Sequence, residues 1–345
     1  MSEPEVIARV EGSVGRLTLN RPGALHALNR TMCDAMIGSL LVWRDDPAVD
    51  TVLIDHRGER GFCAGGDVRA AAADAKYARA FFRAEYQLNA LLFRYPKPVV
   101  AVMDGVTMGG GVGLARPARF RIATDRTVFA MPEGAIGLFP DVGAGWWLPR
   151  LPGRVGLWLA MTGARLGPAD CVLLGLATDY VRGARVEALK ADLIAAPERF
   201  EERLTEFEDD PGEPPIAAVR DDIDRLFGHS SVEMIVEALR DDGSEWALAQ
   251  LAAVLAASPT TLKAAFRQLR IGGELERFED EMAVEFRMAT RIAASHDFRE
   301  GVRAVLVDKT GAPAWDPPSL EAVDAGRLDK LFAPLSKKEE WRPIG

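Results

Sequence analysis

The sequence holds only three cysteines and four histidines in 345 residues. Cys33, Cys63 and Cys171 lie far apart, in no Cys-x-x-Cys or Cys/His spacing. Neither a zinc site nor a disulfide framework is indicated, and a reducing compartment fits. His26, His56, His229 and His296 are isolated in the sequence and read first as structural or surface residues. No run of about 18 apolar residues occurs, so no membrane span is expected. The first nine residues lack basic residues ahead of an apolar run, so no signal peptide is read there and a cytoplasmic protein is expected. Positive charge is also short: 42 Lys and Arg against 51 Asp and Glu leave a net charge of −9. That balance opposes a phosphate backbone, so nucleic acid is not an expected partner. The GxxxxGK[ST] phosphate loop, the GxGxxG dinucleotide fingerprint and the GxSxG serine elbow are all missing.

What is present is an ordinary globular composition, 48% hydrophobic and 27% charged. The length suggests about two domains, or one large domain with an appendage. Residues 14–19, 51–54, 99–103, 120–123 and 128–131 read as short strands. Residues 29–43 carry Met32, Met36, Leu40 and Trp43 on one helical stripe, and residues 77–93 read as a second helix. Apolar strands alternating with helices argue an α/β class.

Beyond about residue 150 the pattern turns helical, over 154–169, 184–207 and most of 216–308. An acidic, proline-rich linker spans 208–215, and Ser258-Pro259 is a helix start, a capping hydroxyl followed by proline. The tail, 311–345, carries five prolines and reads as irregular. The expected division is 1–207, 208–310 and 311–345.

Glycine stands at 32 residues, and two clusters follow strands: Phe62-Cys63-Ala64-Gly65-Gly66-Asp67 and Met108-Gly109-Gly110-Gly111-Val112-Gly113. Without a Cβ, backbone N–H groups can approach a ligand closely. Two such turns could aim two N–H groups at one oxygen, as an oxyanion hole does. Either cluster alone could equally be an ordinary tight turn. Between Met131 and Asp141 the chain is apolar except for Glu133 and Asp141. A carboxylate among apolar residues has a raised pKa unless paired, which suits acid–base work; a solvated loop is the bland alternative. Glu85 sits on the apolar stripe 77-81-85-88-92, where a surface glutamate would not be placed unless the helix face is rotated outward.

Taken together, these segments resemble the crotonase (enoyl-CoA hydratase/isomerase) superfamily. The resemblance rests on the turn at 62–67, on Asp104-Gly105-Val106-Thr107-Met108-Gly109-Gly110-Gly111, on the stretch from Phe129 through Glu133 to Gly143, and on His296-Asp297-Phe298-Arg299-Glu300-Gly301. It covers residues 5–190 well, and extends over nearly the whole chain for those members of the superfamily that hydrolyse a 3-hydroxyacyl thioester.

The resemblance implies a spiral of ββα units followed by a helical C-terminal region. It implies oxyanion donors at the N–H groups of Gly66 and Gly110, which would polarise the thioester carbonyl of an acyl-CoA. It makes Glu133 and Asp141 the catalytic acids and Glu85 a substrate-contacting glutamate. Gly65, Asp67, Gly109, Ala24, His26, Ala27 and Ala64 would line the substrate, with Arg69 as a phosphate contact or a plain surface arginine. Family hydratases carry a first catalytic glutamate three residues after the central glycine of the GGG turn; here that residue is Gly113. The chain also departs from the pattern at Gly23, where a basic residue is usual, and at Leu25-His26-Ala27-Leu28, where Leu-Asn-Ala-Leu is common. The implied reaction is acyl-CoA thioester hydrolysis without a metal or redox cofactor, coenzyme A being part of the substrate. The implied assembly is a homo-oligomer, a trimer or a multiple of it. Rival readings are an enoyl-CoA hydratase or isomerase, and a non-catalytic acyl-CoA-binding protein.

Overall fold

The computed structural model describes residues 3–344. Six strands form one sheet: β1 (Val6–Glu11), β2 (Val14–Leu19), β3 (Thr51–His56), β4 (Val99–Met103), β6 (Phe120–Ala123) and β8 (Asp179–Tyr180), adjacent in that order. Only β1 and β2 are antiparallel, as a hairpin; every other neighbouring pair is parallel. Parallel neighbours require crossovers, and the intervening helices supply them. A second, two-stranded parallel sheet pairs β5 (Val106–Met108) with β7 (Val128–Ala130). β1 went unread in the sequence because it is an edge strand whose middle is exposed, so no buried stripe marks it. β5 is three residues long and lies inside the second glycine segment.

Asn29 caps α1 (Arg30–Asp45) by accepting the Met32 N–H at 2.9 Å. The expected stripe of Met32, Met36, Leu40 and Trp43 is buried, joined by Cys33. Gly15 on β2 lets Trp43 in, because a Cβ there would lie 2.6 Å from the indole. Behind the sheet, Leu53, Val100, Val102, Ile122, Val186, Leu189 and Phe200 form one continuous core. None of the three cysteines forms a disulfide, and all are buried.

By packing, the chain forms two compact units whose segments alternate: residues 1–66, 87–130 and 165–217 in one, and residues 67–86, 131–164 and 218–345 in the other. The expected cuts after 207 and 310 follow changes in composition. The packing instead groups two internal segments with the C-terminal helices.

Local corrections follow from glycine and proline. The helix expected over 154–169 stops at Thr162, where Gly163 takes φ +63°, and a new one starts at Pro168. That over 184–207 is broken at Pro197. Ser258 caps the helix Pro259–Glu274 as read, accepting from the Thr261 N–H. The tail is not irregular throughout: it contains the helix Ala325–Phe332 and buries Leu331, Phe332 and Trp341. Among the described residues no helix is long and apolar enough to cross a membrane.

Candidate active site

The two glycine turns lie within the sheet-bearing unit and are tied together through backbone. The Cys63 N–H donates to Val106 O and the Met108 N–H to Cys63 O, each at 2.9 Å, so the chain leaving β3 runs beside β5. Gly111 seals this contact: a Cβ there would lie 2.2 Å from the Cys63 carbonyl oxygen. Gly65 and Gly109 adopt φ of +113° and +48°, a region that side chains disfavour. Gly110 opens α4 (Gly110–Ala115), so its N–H has no intrahelical acceptor. Among the described residues neither Gly66 N–H nor Gly110 N–H donates to a backbone acceptor. A Cβ built on Gly65 would be 3.8 Å from the Gly110 nitrogen, which places the two turns side by side.

The segment 24–28 joins them: the Ala64 N–H donates to Leu25 O at 3.0 Å and the Leu28 N–H to Gly65 O at 2.7 Å. Ala24, Ala27 and Ala64 therefore border the first turn. His26 is present but its ring is occupied: Nδ1 accepts the Arg21 N–H at 3.0 Å, so Nε2–H donates to Arg57 O at 2.9 Å. Burial lowers its pKa, against the hydrogen bond to Arg57, and the neutral imidazole serves its own backbone. What His26 can offer a ligand is main chain.

In the other unit, Asp67 is the N-cap of α2 (Val68–Ala73), accepting from the Ala70 N–H at 3.3 Å. Arg69, exposed, donates to Leu306 O at 2.5 Å, at the far end of the chain's helical region.

The acids cluster. Glu85, on α3 (Ala75–Phe93), is 2% exposed, as the stripe reading expected; Glu133 is 6% and Asp141 4% exposed. Glu133 opens a short 3-10 turn, Glu133–Ile136, closed by Gly137 at φ +68°. Burial raises the pKa of Glu133 well above the carboxylate range, and the charge of Asp141 raises it further. Glu85 is raised well above its range by burial, then by Asp141 and Glu133. Asp141 is pushed up to about 7 by burial, against a hydrogen bond from Tyr86 and donation from backbone. Among the described residues no cation is among the causes that shift the three. Glu133 Oε2 and Glu85 Oε1 are buried without a hydrogen-bond partner.

Tyr86 was not singled out from sequence. Its hydroxyl donates to Asp141 Oδ2 at 2.8 Å. It reads as one more aromatic on a helix, and only the partner across 55 positions gives it a role. Gln268, Glu281 and Glu285, fully buried on C-terminal helices, were missed as well. A glutamate pair four residues apart on an otherwise apolar face was the available signal.

The mixed α/β fold with its helical C-terminal region is that of a class of enzymes acting on acyl-CoA thioesters. The chain belongs to the enoyl-CoA hydratase/isomerase family, whose model matches residues 14–332. It is 42% identical to the mitochondrial 3-hydroxyisobutyryl-CoA hydrolase of Xenopus tropicalis, over 98% of this chain and 91% of the relative. It is 40% identical to the enzyme of that name from Homo sapiens, over 97% of this chain and 90% of the relative. Among solved structures it is similar to a carnitinyl-CoA dehydratase from Mycobacterium thermoresistibile, with TM-score 0.92 and 38% identity over 97% of this chain and 98% of that one. An enoyl-CoA hydratase from Rhodobacter sphaeroides gives TM-score 0.90 and 37% identity, over 98% and 100%. The expected fold, a crotonase-type α/β core followed by helices, holds. The expectation of a cytoplasmic protein does not, since these relatives are named as mitochondrial. The lack of disulfides fits a reducing environment, and that criterion does not separate one reducing compartment from another.

Proposed function

We propose that the protein hydrolyses 3-hydroxyisobutyryl-CoA to 3-hydroxyisobutyrate and coenzyme A, a step of valine breakdown. The observation that carries this reading is Gly113, buried inside α4, at the position where a family hydratase has its first glutamate. Hydration of an enoyl thioester must activate water and deliver a proton to the α-carbon, and one acid of that pair is gone. Hydrolysis needs one carboxylate at the thioester carbonyl, and Glu133 supplies it. Relatives of 40% identity or more over nearly the full chain bear the hydrolase name.

The N–H groups of Gly66 and Gly110 stabilise the oxyanion that forms when the carbonyl carbon is attacked. Two routes use Glu133. As nucleophile, its carboxylate bonds to the carbonyl carbon, the C–S bond breaks, coenzyme A leaves as thiolate, and water opens the mixed anhydride. As general base, it takes a proton from the water that attacks directly. Single-turnover hydrolysis in oxygen-18 water separates them: the first route leaves label in Glu133. Asp141 and Glu85 hold the 3-hydroxyl and the hydrolytic water. Gly65, Asp67, Gly109, Ala24, His26, Ala27 and Ala64 border the acyl-CoA, chiefly through main chain, and Arg69 stands at its periphery. No step calls for a metal or redox cofactor. The proposed assembly, from the family resemblance, is a homo-oligomer, a trimer or a multiple of it; exposed Leu248 and Leu255 on the helix Glu245–Ala256 offer it apolar surface.

Two similar solved structures bear the names dehydratase and hydratase, so the test pits the two readings directly. Thiol release from 3-hydroxyisobutyryl-CoA, with crotonyl-CoA left unhydrated, is expected. Rapid loss of the enoyl chromophore without thiol release would assign a hydratase. If Asp141 acts ionised, the hydrolytic rate climbs as the pH passes about 7. A profile flat from about pH 5 to 9 would remove Asp141 from the chemistry.

A further inference from the structure

Asp141 opens a tight turn, closed by the Ala144 N–H donating to Asp141 O at 3.0 Å, that is braced further from outside. Val142, the next residue, has φ +55°, a conformation that a β-branched side chain resists. Such strain persists only where the surroundings over-determine it. Here they do, from two helices more than 120 positions away. Glu285 Oε2 accepts the Gly143 N–H at 2.8 Å and Oε1 accepts the Gly145 N–H at 3.2 Å. Gln268 Nε2 donates to Pro140 O at 3.0 Å and to Glu285 Oε1 at 3.1 Å, and lies 3.3 Å from Glu281 Oε1. The main chain is thus gripped on both sides of Asp141.

Glycine makes the grip possible: a Cβ on Gly145 would lie 1.8 Å from Glu281 Oε1, and one on Gly272 would lie 2.0 Å from Gly145 O. The carboxylate itself is held by Tyr86, whose ring packs edge-on against Phe286, beside Glu285. Two buried carboxyls and an amide in an otherwise apolar helix interface are poor packing, so stability alone does not account for them.

We propose that Glu285 and Gln268 are positioning residues for Asp141, gripping its loop from the C-terminal helices while Tyr86 holds its carboxylate. The inference rests on the hydrolase reading. It gives the C-terminal helical region a part in turnover without contact to substrate.

The test uses the full chain and 3-hydroxyisobutyryl-CoA. Glu285→Gln keeps the shape but presents an amide N–H where a backbone N–H needs an acceptor. It should lower kcat on the order of 10- to 100-fold with KM changed less than about threefold, and Glu285→Ala should lose more. Tyr86→Phe should move the acidic limb of the kcat/KM profile upward by about half a unit to one unit, because a hydrogen bond that favours the Asp141 carboxylate is gone. Glu133, Glu85 and Glu285 also face that carboxyl as acids, and Arg150 acts on Glu281 beyond them. Since none of these is altered in Tyr86→Phe, the limb reports the lost hydroxyl. A merely structural role would lower the unfolding midpoint and leave both the limb and kcat per folded molecule unchanged, which overturns the inference. If Glu285→Gln does not fold, the limb shift in Tyr86→Phe and the rate of Gln268→Glu, which keeps size but loses the donor amide, decide. No thiol release by the unaltered protein overturns the hydrolase reading and this inference together. Release by it with unaltered variants overturns this inference alone.

Discussion

Glu133→Gln removes thiol release, by roughly 10²- to 10⁴-fold in kcat, and at the same time makes the protein more stable. The first effect follows from chemistry: an amide neither attacks a thioester nor takes a proton from water. Binding survives, because the oxyanion donors and the acyl-CoA contacts lie elsewhere, so KM or the affinity for a non-hydrolysable analogue changes little. The second effect follows from linkage. Burial, then Asp141, holds the Glu133 pKa well above its value in an unfolded chain. The folded protein therefore binds that proton more tightly than the unfolded one. Its stability falls as pH rises beyond the ordinary carboxylate range. A neutral glutamine escapes this cost. The gain in unfolding midpoint, on the order of 2–5 °C, should be larger at pH 8 than at pH 5. Full activity in the variant would end the catalytic assignment; a midpoint below the parent's at pH 8 would end the electrostatic one.

The second large effect needs no charged group. Gly111→Ala places a methyl 2.2 Å from the Cys63 carbonyl oxygen and 2.8 Å from Cys63 Cβ. That oxygen also accepts the Met108 N–H, so the two glycine turns must part for the methyl to fit. Overpacking of this kind costs about 1–3 kcal/mol in stability. The displaced donors at Gly66 and Gly110 should cost at least about 10²-fold in kcat, since losing a single oxyanion donor is worth ~3 kcal/mol. Gly38→Ala is the matched control. Gly38 lies exposed in the middle of α1 with no atom within 4 Å of its would-be Cβ. It should gain about 0.5–1 kcal/mol with turnover unchanged. Thiol release and thermal unfolding on the three proteins suffice, and a Gly111→Ala enzyme of normal rate would detach the turns from catalysis.

Much of this was legible in one dimension, for reasons that are local. Met32, Met36, Leu40 and Trp43 show a helix face because burial repeats every 3.6 residues. β4 was read with both its ends, because a run buried along its whole length is apolar throughout. Glu85 stood out because a carboxylate on an apolar stripe contradicts its neighbours. The strand at the sheet edge was not legible, since its exposed residues leave no periodicity. Arg69 could not be placed, since a guanidinium's partner can lie anywhere in the chain; here it is the carbonyl of Leu306.

The sequence by itself determined the glycines without Cβ and the lone acids in an apolar stretch, while the family resemblance supplied the meaning of Gly113. Those are properties of single positions, and chemistry reads them without coordinates. Only the tertiary structure decided how those groups are tuned and held. Three carboxyls from α3, the 3-10 turn and the Asp141 loop share one buried environment, and burial with mutual repulsion raises their pKa values. Glu285 and Gln268 reach the Asp141 loop across more than 120 residues. The physical reason is that a pKa or a strained backbone angle depends on what surrounds a group in space, and sequence distance carries no record of it.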